Sequence, residues 1–404
     1  MLKPIGHSLL FAIILFSSFI PTFAWDEVGH KITAYIAWQR MTPDVREKVI
    51  KTLLAAPEDS QIGAFYASNG SRTLDTRKRE FFMVMATWPD IIRDAKFEVR
   101  NKKYHNGPWH YADTFWQWKD GKVVFLASPE ANGLAMQKLN DFNQLIRSTS
   151  SDADKAVAIA WLEHLIGDIH QPLHTSGKVT DGNPKGDQGG NLFLLTPKGT
   201  PRDKQENLHW FWDSIVGRNI PNAKDQCDAD YLDPLAQDMM KLYPYDNVKA
   251  KLNAGKFDVW AKESLDIATT EVYKDLKWFE TPTDQYRKHA FELAQERLAL
   301  AGYRMGDLFN EVFGANADVV STNASSCKVI RKVMYPVTQT SSVKQTLEIA
   351  LLDLCPTQPA ARPMFTFMID GKPVMKEYDV VRVFKTEAEA RKYAAENKIT
   401  DSVF

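Results

Sequence analysis

Cysteine is scarce in this sequence, with 3 residues among 404, at Cys227, Cys327 and Cys355. None of them has the Cys-x-x-Cys spacing, which argues against a cysteine-based zinc site. We predict a disulfide bond between Cys327 and Cys355, because both lie in the C-terminal region and an oxidising compartment favours such bonds.

Net charge is also nearly absent, since 50 basic residues balance 51 acidic ones. This balance argues against a basic surface that binds long duplex DNA. It does not exclude a nucleic acid substrate, because bound metal ions can supply positive charge.

Long apolar runs are missing after the N-terminal region, so the remaining sequence offers no candidate membrane span. The N-terminus itself has the organisation of a secretory signal, with Lys3, an apolar stretch over 9–20 and Thr22-Phe23-Ala24 as a small-x-small cleavage site. An uncleaved membrane anchor is the alternative, but the stretch is shorter than the ~20 residues of a membrane span. We therefore predict a signal peptide over residues 1–24, Trp25 as the mature N-terminus, and a secreted or periplasmic protein without a membrane span.

Helical periodicity dominates from Trp25 to about Phe313. The apolar spacing, the capping residues Thr42 and Ser151 (or Asp152), and Pro172 as a terminator predict helices over 43–54, 133–146, 152–169, 259–276 and 286–313. Only two strands are predicted here, over 122–125 and 191–195.

The pattern changes after about Gly314. Alternation predicts a strand over 328–337, a short helix over 343–354, a hairpin of 364–369 and 374–383 around Asp370-Gly371, and a closing helix over 386–397. The sequence therefore predicts a mainly α protein. A helical domain over 25–315 would carry a small α+β C-terminal appendage over 316–404, to which we assign no role.

Imidazole and carboxylate side chains recur at helical spacing in the middle of the chain. His164 and Asp168 are four residues apart, and His209 and Asp213 repeat that spacing. Side chains at i and i+4 lie on one face of a helix, so each pair can converge on one ion, and these ligand types suit zinc. A single pair of this kind is more often a surface ion pair or a helix cap. Two pairs embedded in apolar and aromatic residues favour a metal site, because buried charged groups need a partner or a metal.

Further segments carry the same side-chain types in aromatic surroundings, namely Trp25-Asp-Glu-Val-Gly-His30, Trp88-Pro-Asp90, Trp109-His110-Tyr-Ala-Asp113 and His170-Gln-Pro-Leu-His174. Together with the two pairs and Gly186-Asp-Gln-Gly-Gly-Asn191, their order and spacing resemble the single-strand-specific zinc nucleases of fungi, plants and bacteria. The resemblance covers residues 25 to 315. It implies the helical fold that these nucleases share with bacterial zinc phospholipase C.

The resemblance implies a trinuclear zinc site. One ion would be held by Asp90, His110, His164 and Asp168. A second would be held by the free amine and the carbonyl group of Trp25, by His30, and by Asp168 as a bridge between the two ions. A third, more exposed ion would be held by His174, His209 and Asp213. The residue spacings agree with these ligand types, but they do not assign ligands to individual ions.

The resemblance also implies catalytic and substrate-binding residues. Asp113 matches the residue that orients or deprotonates the attacking water, and Arg93 matches a basic residue that neutralises the phosphate. Asn191 and Tyr111 match positions that bind the nucleoside by hydrogen bonding and by base stacking. Each has a structural alternative: Asp113 as a helix cap, Arg93 as a solvated helix residue, Asn191 as a turn residue and Tyr111 as core packing. We interpret the tryptophans around the site as packing residues.

We therefore expect a zinc-dependent endonuclease that hydrolyses single-stranded DNA and RNA to 5′-nucleotides and also acts on 3′-nucleotides. No stable protein partner is predicted. A zinc phospholipase C on the same scaffold and a non-catalytic zinc-binding protein are the alternatives. The segments around Asp113 and Asn191 favour the nuclease, and the presence of Asp113 beside a complete ligand set argues against a protein without catalytic activity.

Overall fold

A computed structural model describes residues 25–66, 73–127, 132–224 and 226–314, together with strands within 329–337, 345–352, 364–369 and 372–377. The chain divides into two compact units, Met1–Ala317 and Asp318–Phe404. The predicted signal peptide, the Cys327–Cys355 pair and the predicted helix over 386–397 lie outside the described residues. Cys227 is an exposed free thiol. No helix in the described part of the chain is long and apolar enough to cross a membrane.

Helices make up most of the first unit, which confirms the mainly α prediction. The α-helices are α1 Glu27–Arg40, α2 Pro43–Leu54, α3 Leu74–Met85, α4 Trp88–Ile91, α5 Glu98–Tyr104, α6 Ala135–Arg147, α7 Asp152–Asp168, α8 Leu208–Asp213, α9 Ile215–Asn219, α10 Asp228–Leu242, α11 Tyr245–Val248, α12 Phe257–Ile267 and α13 Asp284–Phe313. Short 3₁₀ helices lie at Glu58–Ser60, Ile62–Phe65, Gly107–His110, Pro172–Thr175, Arg202–Lys204 and Lys249–Lys251, and a π-helical turn follows α12 at Ala268–Val272.

Two of the predicted helix starts, at Pro43 and Asp152, are confirmed by their caps, and the other three differ from the prediction by two residues. The Thr42 side chain accepts a hydrogen bond from the backbone N–H of Val45, and Pro43 occupies the first turn of α2. The Ser151 side chain accepts from the backbone N–H of Asp154 at 3.2 Å and opens α7. Such caps satisfy backbone donors that have no partner within the helix. Helix α7 ends at Asp168, ahead of its predicted terminator Pro172.

Helix α7 forms the centre of the first unit, and all its residues from Ala158 to Asp168 are buried. Helices α1, α2, α6 and α13 pack against it, as expected for a helix that is apolar on all sides. Helices α1 and α13 also cross closely, because a Cβ added at Gly302 would lie 2.5 Å from the Cβ of Ile36. The polar residues of α7 are therefore held deep in the core, where they need partners.

A small sheet lies beside this helical core, with the strand order β2-β1-β3. Strands β1 (Thr114–Lys119) and β2 (Lys122–Phe125) are antiparallel, and β2 confirms the predicted strand. Strand β3 (Ser176–Lys178) pairs with β1 in parallel, with Thr114 opposite Ser176. This pairing brings the segment after Asp113 beside the segment after the 3₁₀ helix Pro172–Thr175.

The predicted strand over 191–195 is wrong. In the structure these residues form turns, with a single isolated bridge between Leu194 and Asn207. The backbone N–H groups of Leu192 and Phe193 donate to carbonyl groups within the same loop, at Asp187 and Gly190. These local hydrogen bonds replace the ladder that a strand would need.

In the second unit, β4 (Val329–Val337) pairs antiparallel with β5 (Gln345–Leu352), and β6 (Met364–Ile369) pairs antiparallel with β7 (Lys372–Glu377). The predicted first strand is thus confirmed, and so is the antiparallel pairing of 364–369 with the segment that follows it, whereas 378–383 of the predicted second strand lie outside the described residues. The predicted helix over 343–354 is wrong, because its central residues form β5. Backbone hydrogen bonds to β4 outweigh the weak helical preference of this short segment.

Candidate metal centre

Asp90, His110 and His164 form the first of three groups of imidazole and carboxylate side chains in the described residues, each with ligand atoms within 4.8 Å of one another. His110 Nδ1 and His164 Nε2 are 2.8 Å apart, and Asp90 Oδ1 lies 3.9 and 3.7 Å from them. Asp168 Oδ2 joins this group, at 3.4 Å from His110 Nδ1 and 3.3 Å from His164 Nε2. Donor atoms from four residues thus converge, which is the number that a tetrahedral zinc ion requires.

His30, on α1, forms the second group with His164 and Asp168. Its Nε2 lies 3.4 Å from Asp168 Oδ1, whereas Oδ2 of the same carboxylate faces the first group. The imidazole rings of His30 and His164 stack with their centroids 4.0 Å apart. Gly167 permits this approach, because a Cβ at that position would lie 2.7 Å from His30 Nδ1. Asp168 therefore presents one oxygen to each group, as a bridging carboxylate does.

The third group combines His174, just after α7, with His209 and Asp213 on α8. His209 Nε2 lies 3.4 Å from Asp213 Oδ2, and His174 Nε2 lies 3.9 Å from Asp213 Oδ1. The side chain of Gln171 donates from its Nε2 to Asp213 Oδ1 at 2.6 Å. The i, i+4 spacing on α8 thus places both of its polar side chains on one face, as the sequence predicted.

Backbone carbonyl groups orient the imidazoles of these groups. The Nδ1 atoms of His164, His174 and His209 lie 2.8, 2.7 and 2.7 Å from the carbonyl oxygens of Ala86, His110 and Gly189. An Nδ1–H that donates to a carbonyl leaves Nε2 as the nitrogen with a lone pair. Each ring therefore turns Nε2 toward its group, as metal-binding histidines do.

Burial sets the protonation of the ligand side chains. It lowers the pKa of the imidazoles, to about 3 for His164 and well below the usual value for His30, His110 and His174. Burial also raises the pKa of Asp168 and Asp213 well above the usual range, and the charge of Asp90 adds to the effect on both. Neutral imidazoles are ready to bind a metal ion, whereas the carboxylates need a cation to be stable as anions.

Several ligand atoms of the described residues have no hydrogen-bond partner within the protein. In the described part of the chain, both oxygens of Asp168, both ring nitrogens of His30, His174 Nε2 and Asp213 Oδ2 are buried and make no hydrogen bond. A buried polar atom without a partner costs about 1–3 kcal/mol, and more when it is charged. These atoms belong to the three groups, and metal ions bound there would coordinate them. The mixture of imidazole and carboxylate donors fits zinc.

Trp25 is fully buried at the start of the described chain. The backbone N–H of the next residue, Asp26, donates to the carbonyl oxygen of Asp213 at 2.9 Å. The Asp26 side chain accepts from the backbone N–H of Gly29 at 3.1 Å and so caps α1, which carries His30 in its first turn. The backbone around Trp25 is therefore held by contacts both to the third group and to the helix of the second group.

Of the two predicted catalytic residues, Arg93 contacts the first group and Asp113 lies at the start of the small sheet. Arg93 is half-buried, and its Nη2 lies 2.9 Å from Asp90 Oδ1, so it contacts the first group. Asp113 is half-buried and directly precedes β1, with its backbone N–H donating to the carbonyl of Asn132 at 2.8 Å. Burial raises the pKa of the Asp113 carboxyl well above its usual range, and the negative charge of Asp187 raises it further.

The two predicted nucleoside-binding residues are both half-buried. Tyr111 lies between His110 and Asp113, and its carbonyl accepts from the backbone N–H of Ala135 at 3.1 Å. Asn191 donates from its side-chain amide to the carbonyl of Gln188 at 2.8 Å. Because the carbonyl of the adjacent Gly189 contacts the His209 imidazole, the Asn191 loop is joined directly to the third group.

The sequence assigned no role to Gln171, which contacts the third group, or to Asp187, whose charge acts on Asp113. Gln171 contacts Asp213, as described above. Asp187 is buried and accepts hydrogen bonds from the Tyr273 hydroxyl at 2.6 Å and the backbone N–H of Lys178 at 3.0 Å. Both residues lie within segments that carry the family resemblance. Their side-chain types alone do not distinguish a supporting role from an ordinary turn.

Comparison with known proteins gives a consistent result. The S1/P1 Nuclease family model matches residues 25–314. Endonuclease 2 of Arabidopsis thaliana is 25% identical over 306 residues, which cover 72% of this chain and 91% of the relative. Nuclease S1 of Aspergillus oryzae is 22% identical over 300 residues, which cover 70% of this chain and 90% of that relative. Nuclease P1 of Penicillium citrinum is 20% identical over 310 residues, which cover 72% of this chain and 98% of that relative.

The match spans every residue of the three groups as well as Asp113 and Asn191. It also decides between the alternatives left by the sequence, since the relatives are nucleases rather than phospholipases or binding proteins. The chain belongs to the S1/P1 nuclease family, and it is a zinc-dependent hydrolase that acts on single-stranded nucleic acids.

Proposed function

We propose that this protein is an endonuclease that hydrolyses phosphodiester bonds of single-stranded DNA and RNA to 5′-nucleotides, and that it also removes the phosphate from 3′-nucleotides. The observation that supports this proposal is the convergence of three largely buried His/Asp groups, two of which share His164 and are both contacted by Asp168. Closely spaced metal ions are a recurrent solution for phosphodiester hydrolysis.

We assign three zinc ions to the three groups. The first would be held by Asp90, His110, His164 and Asp168, the second by His30, Asp168 and the amine and carbonyl of Trp25, and the third by His174, His209 and Asp213. When bound, the ions supply positive charge to the phosphate and lower the pKa of water. The free amine of Trp25 would exist only after removal of residues 1–24.

The remaining site residues would act on the substrate and the attacking water. Asp113 would orient that water or take its proton, because its raised pKa makes its carboxylate a stronger base. Arg93 would stabilise the negative charge of the phosphate from its position beside Asp90. Tyr111 would stack on the base, and Asn191 would hydrogen-bond to the nucleoside.

The test of this function compares single-stranded DNA, RNA, a 3′-nucleotide and lecithin as substrates, with and without a chelator. We expect cleavage of the first three substrates, loss of activity with the chelator, and 5′-phosphate products. Asp113→Asn should retain its zinc and lower kcat by about 10²–10⁴-fold, whereas the exposed Asp238→Asn should match the wild type. Lecithin hydrolysis alone, or full zinc content with no hydrolysis, would contradict the proposal.

We also propose that the protein is exported and acts without a stable protein partner. N-terminal sequencing of protein recovered from the periplasm or the medium should then begin at Trp25. A variant that retains one extra residue before Trp25 should lose affinity for the second ion, because its amine would be displaced. Unchanged zinc content and activity in that variant would argue against a role for the amine.

A further inference from the structure

A continuous series of aromatic contacts extends from Trp118 to Trp278. The Trp118 ring lies 6.2 Å from that of Trp116, which lies 5.6 Å from Tyr273. Tyr273 lies 5.7 Å from Phe193, which lies 5.5 Å from Trp278. The three central rings are buried, whereas Trp118 and Trp278 at the two ends are 49% and 39% exposed. Core packing accounts for the central rings, but it does not require exposed indoles at both ends.

The ammonium of Lys178 lies over the centre of this series. Its Nζ is 4.2 Å from the ring centroid of Tyr273, 5.6 Å from Trp116 and 6.0 Å from Phe193. Contacts of this length between a cation and aromatic rings are attractive. Lys178 is half-buried, and burial lowers the pKa of its ammonium, an effect that the charge of Asp187 opposes.

Lys178 differs from other lysines that contact aromatic rings. Lys138 lies over Trp109 and also pairs with Asp141 at 2.8 Å, and Lys103 lies over Tyr104 and pairs with Asp59. In the described residues, the Lys178 ammonium forms no direct ion pair, although the Asp187 carboxylate is close enough to raise its pKa. A partly desolvated cation that no carboxylate contacts directly is suited to an anionic ligand.

This arrangement adjoins the metal centre through the small sheet. Strand β1, which carries Trp116 and Trp118, starts directly after Asp113, and strand β3, which carries Lys178, starts two residues after His174. The Trp116 indole donates to the Ser176 hydroxyl at 2.8 Å and so joins the two strands. Lys178 is four residues after His174, a separation that extended chain spans in at most roughly 14 Å.

We propose that Trp118, Lys178 and Trp278 form a binding subsite for nucleotides of a single-stranded substrate beyond the scissile phosphodiester. Exposed indoles stack on unpaired bases of any sequence, and an ammonium between them neutralises a backbone phosphate. Bases in a duplex are not available for such stacking. This inference rests on the proposed function, and it names a substrate contact outside the metal centre.

The test uses the full chain and two substrates, a dinucleotide and a single-stranded oligonucleotide of roughly 12 nucleotides, within the usual range of single-strand site sizes. Lys178→Met removes the charge but retains the aliphatic stem. Lys102→Met is the control, because it removes the same charge from an exposed lysine that pairs with Glu98 elsewhere. Trp118→Ala removes a stacking surface, and Trp118→Phe restores a smaller one.

Lys178→Met should leave kcat/KM for the dinucleotide unchanged and lower it for the oligonucleotide. Its plot of log kcat/KM against log salt concentration should be shallower by about 0.7, the value for one phosphate contact with a single strand. Trp118→Ala should lower kcat/KM for the oligonucleotide by about fivefold or more, and Trp118→Phe should recover part of that loss. Equal losses on both substrates, or a Lys178→Met slope that matches that of Lys102→Met, would overturn the subsite.

Binding measured in a chelator separates this proposal from the proposed function. Fluorescence anisotropy with a labelled oligonucleotide requires no hydrolysis. Weaker binding by Lys178→Met and Trp118→Ala than by Lys102→Met would support the subsite even if the wild type cleaved no substrate. Equal binding by all of these variants, together with normal wild-type hydrolysis, would refute the subsite and leave the nuclease function intact.

Discussion

Replacing Asp168 with Asn should remove two of the three metal ions at once. The Oδ1 atom of Asp168 faces His30, and its Oδ2 atom faces His110 and His164, so the carboxylate belongs to both of the groups that meet at α7. Asn has nearly the same shape but has no negative charge and only one oxygen. The third group does not include this residue and should retain its ion.

Zinc content measured by native mass spectrometry should therefore fall from three ions per chain to one in Asp168→Asn, on the basis of the three groups observed. The matched control is Asp213→Asn, which should lower it from three to two, because Asp213 belongs to the third group alone. Three ions retained by Asp168→Asn, or more than one lost from Asp213→Asn, would refute the assignment of Asp168 as the shared ligand.

The same substitution should have the opposite effect on the metal-free protein. Burial raises the pKa of Asp168 well above its usual range. The stability that such a group contributes is complete below its unfolded pKa and is lost as the pH rises through its folded pKa. In a chelator at neutral pH, Asp168→Asn should thus be more stable than the wild type by about 1–3 kcal/mol. The difference should close as the pH falls toward about 4. Thermal unfolding with and without zinc measures whether the stability difference between Asp168→Asn and the wild type changes sign when zinc is removed. A variant that is less stable than the wild type in both conditions would contradict this prediction.

Three further substitutions test how the surroundings support the site. Gln171→Met removes the hydrogen bond to Asp213 Oδ1, so we expect a 10- to 100-fold loss of zinc affinity at the third group alone, measured by competition with a chelating dye. Gly167→Ala would place a methyl group 2.7 Å from His30 Nδ1, and zinc analysis should show loss of the second ion with the third retained. Arg304→Met removes one of the two arginines that pair with Glu263 on α12, since Arg297 remains, and it leaves buried His170 Nε2 without its hydrogen bond, so thermal unfolding should show a destabilisation of about 1–3 kcal/mol.

The sequence predicted the helical framework well where local signals are strong. The cap at Thr42 and the apolar run of α7 both define helices whose position follows from sequence alone. The i, i+4 spacing of His164 and Asp168 then requires that both side chains point the same way. These local rules explain why residue spacing is enough to predict the His/Asp pairs on α7 and α8.

Features that depend on contacts between distant segments could not be predicted in this way. The carbonyl groups that orient the imidazoles belong to Ala86, His110 and Gly189, which are distant in sequence from the rings that they contact. The predicted helix over 343–354 failed for the same reason, because pairing with β4 determines the structure of β5. The interpretation of Trp118 as a packing residue does not fit its half-exposed indole. The exposure of this indole depends on how the small sheet lies against the helical core, which residue spacing does not show.

The buried ligand groups also connect metal binding to folding. Asp168 and Asp213 have raised pKa values, and the imidazoles have lowered ones, because all of them lie in the core without solvent. Any ion that binds these groups in the folded chain, but not in the unfolded one, stabilises the fold by about 2.7 kcal/mol at a concentration 100 times its Kd. The fold therefore buries polar atoms that are unfavourable without metal, and the packing of α7 in the core keeps Asp168 and its neighbours in position to bind zinc. Stability and activity should consequently decline together as zinc is withdrawn.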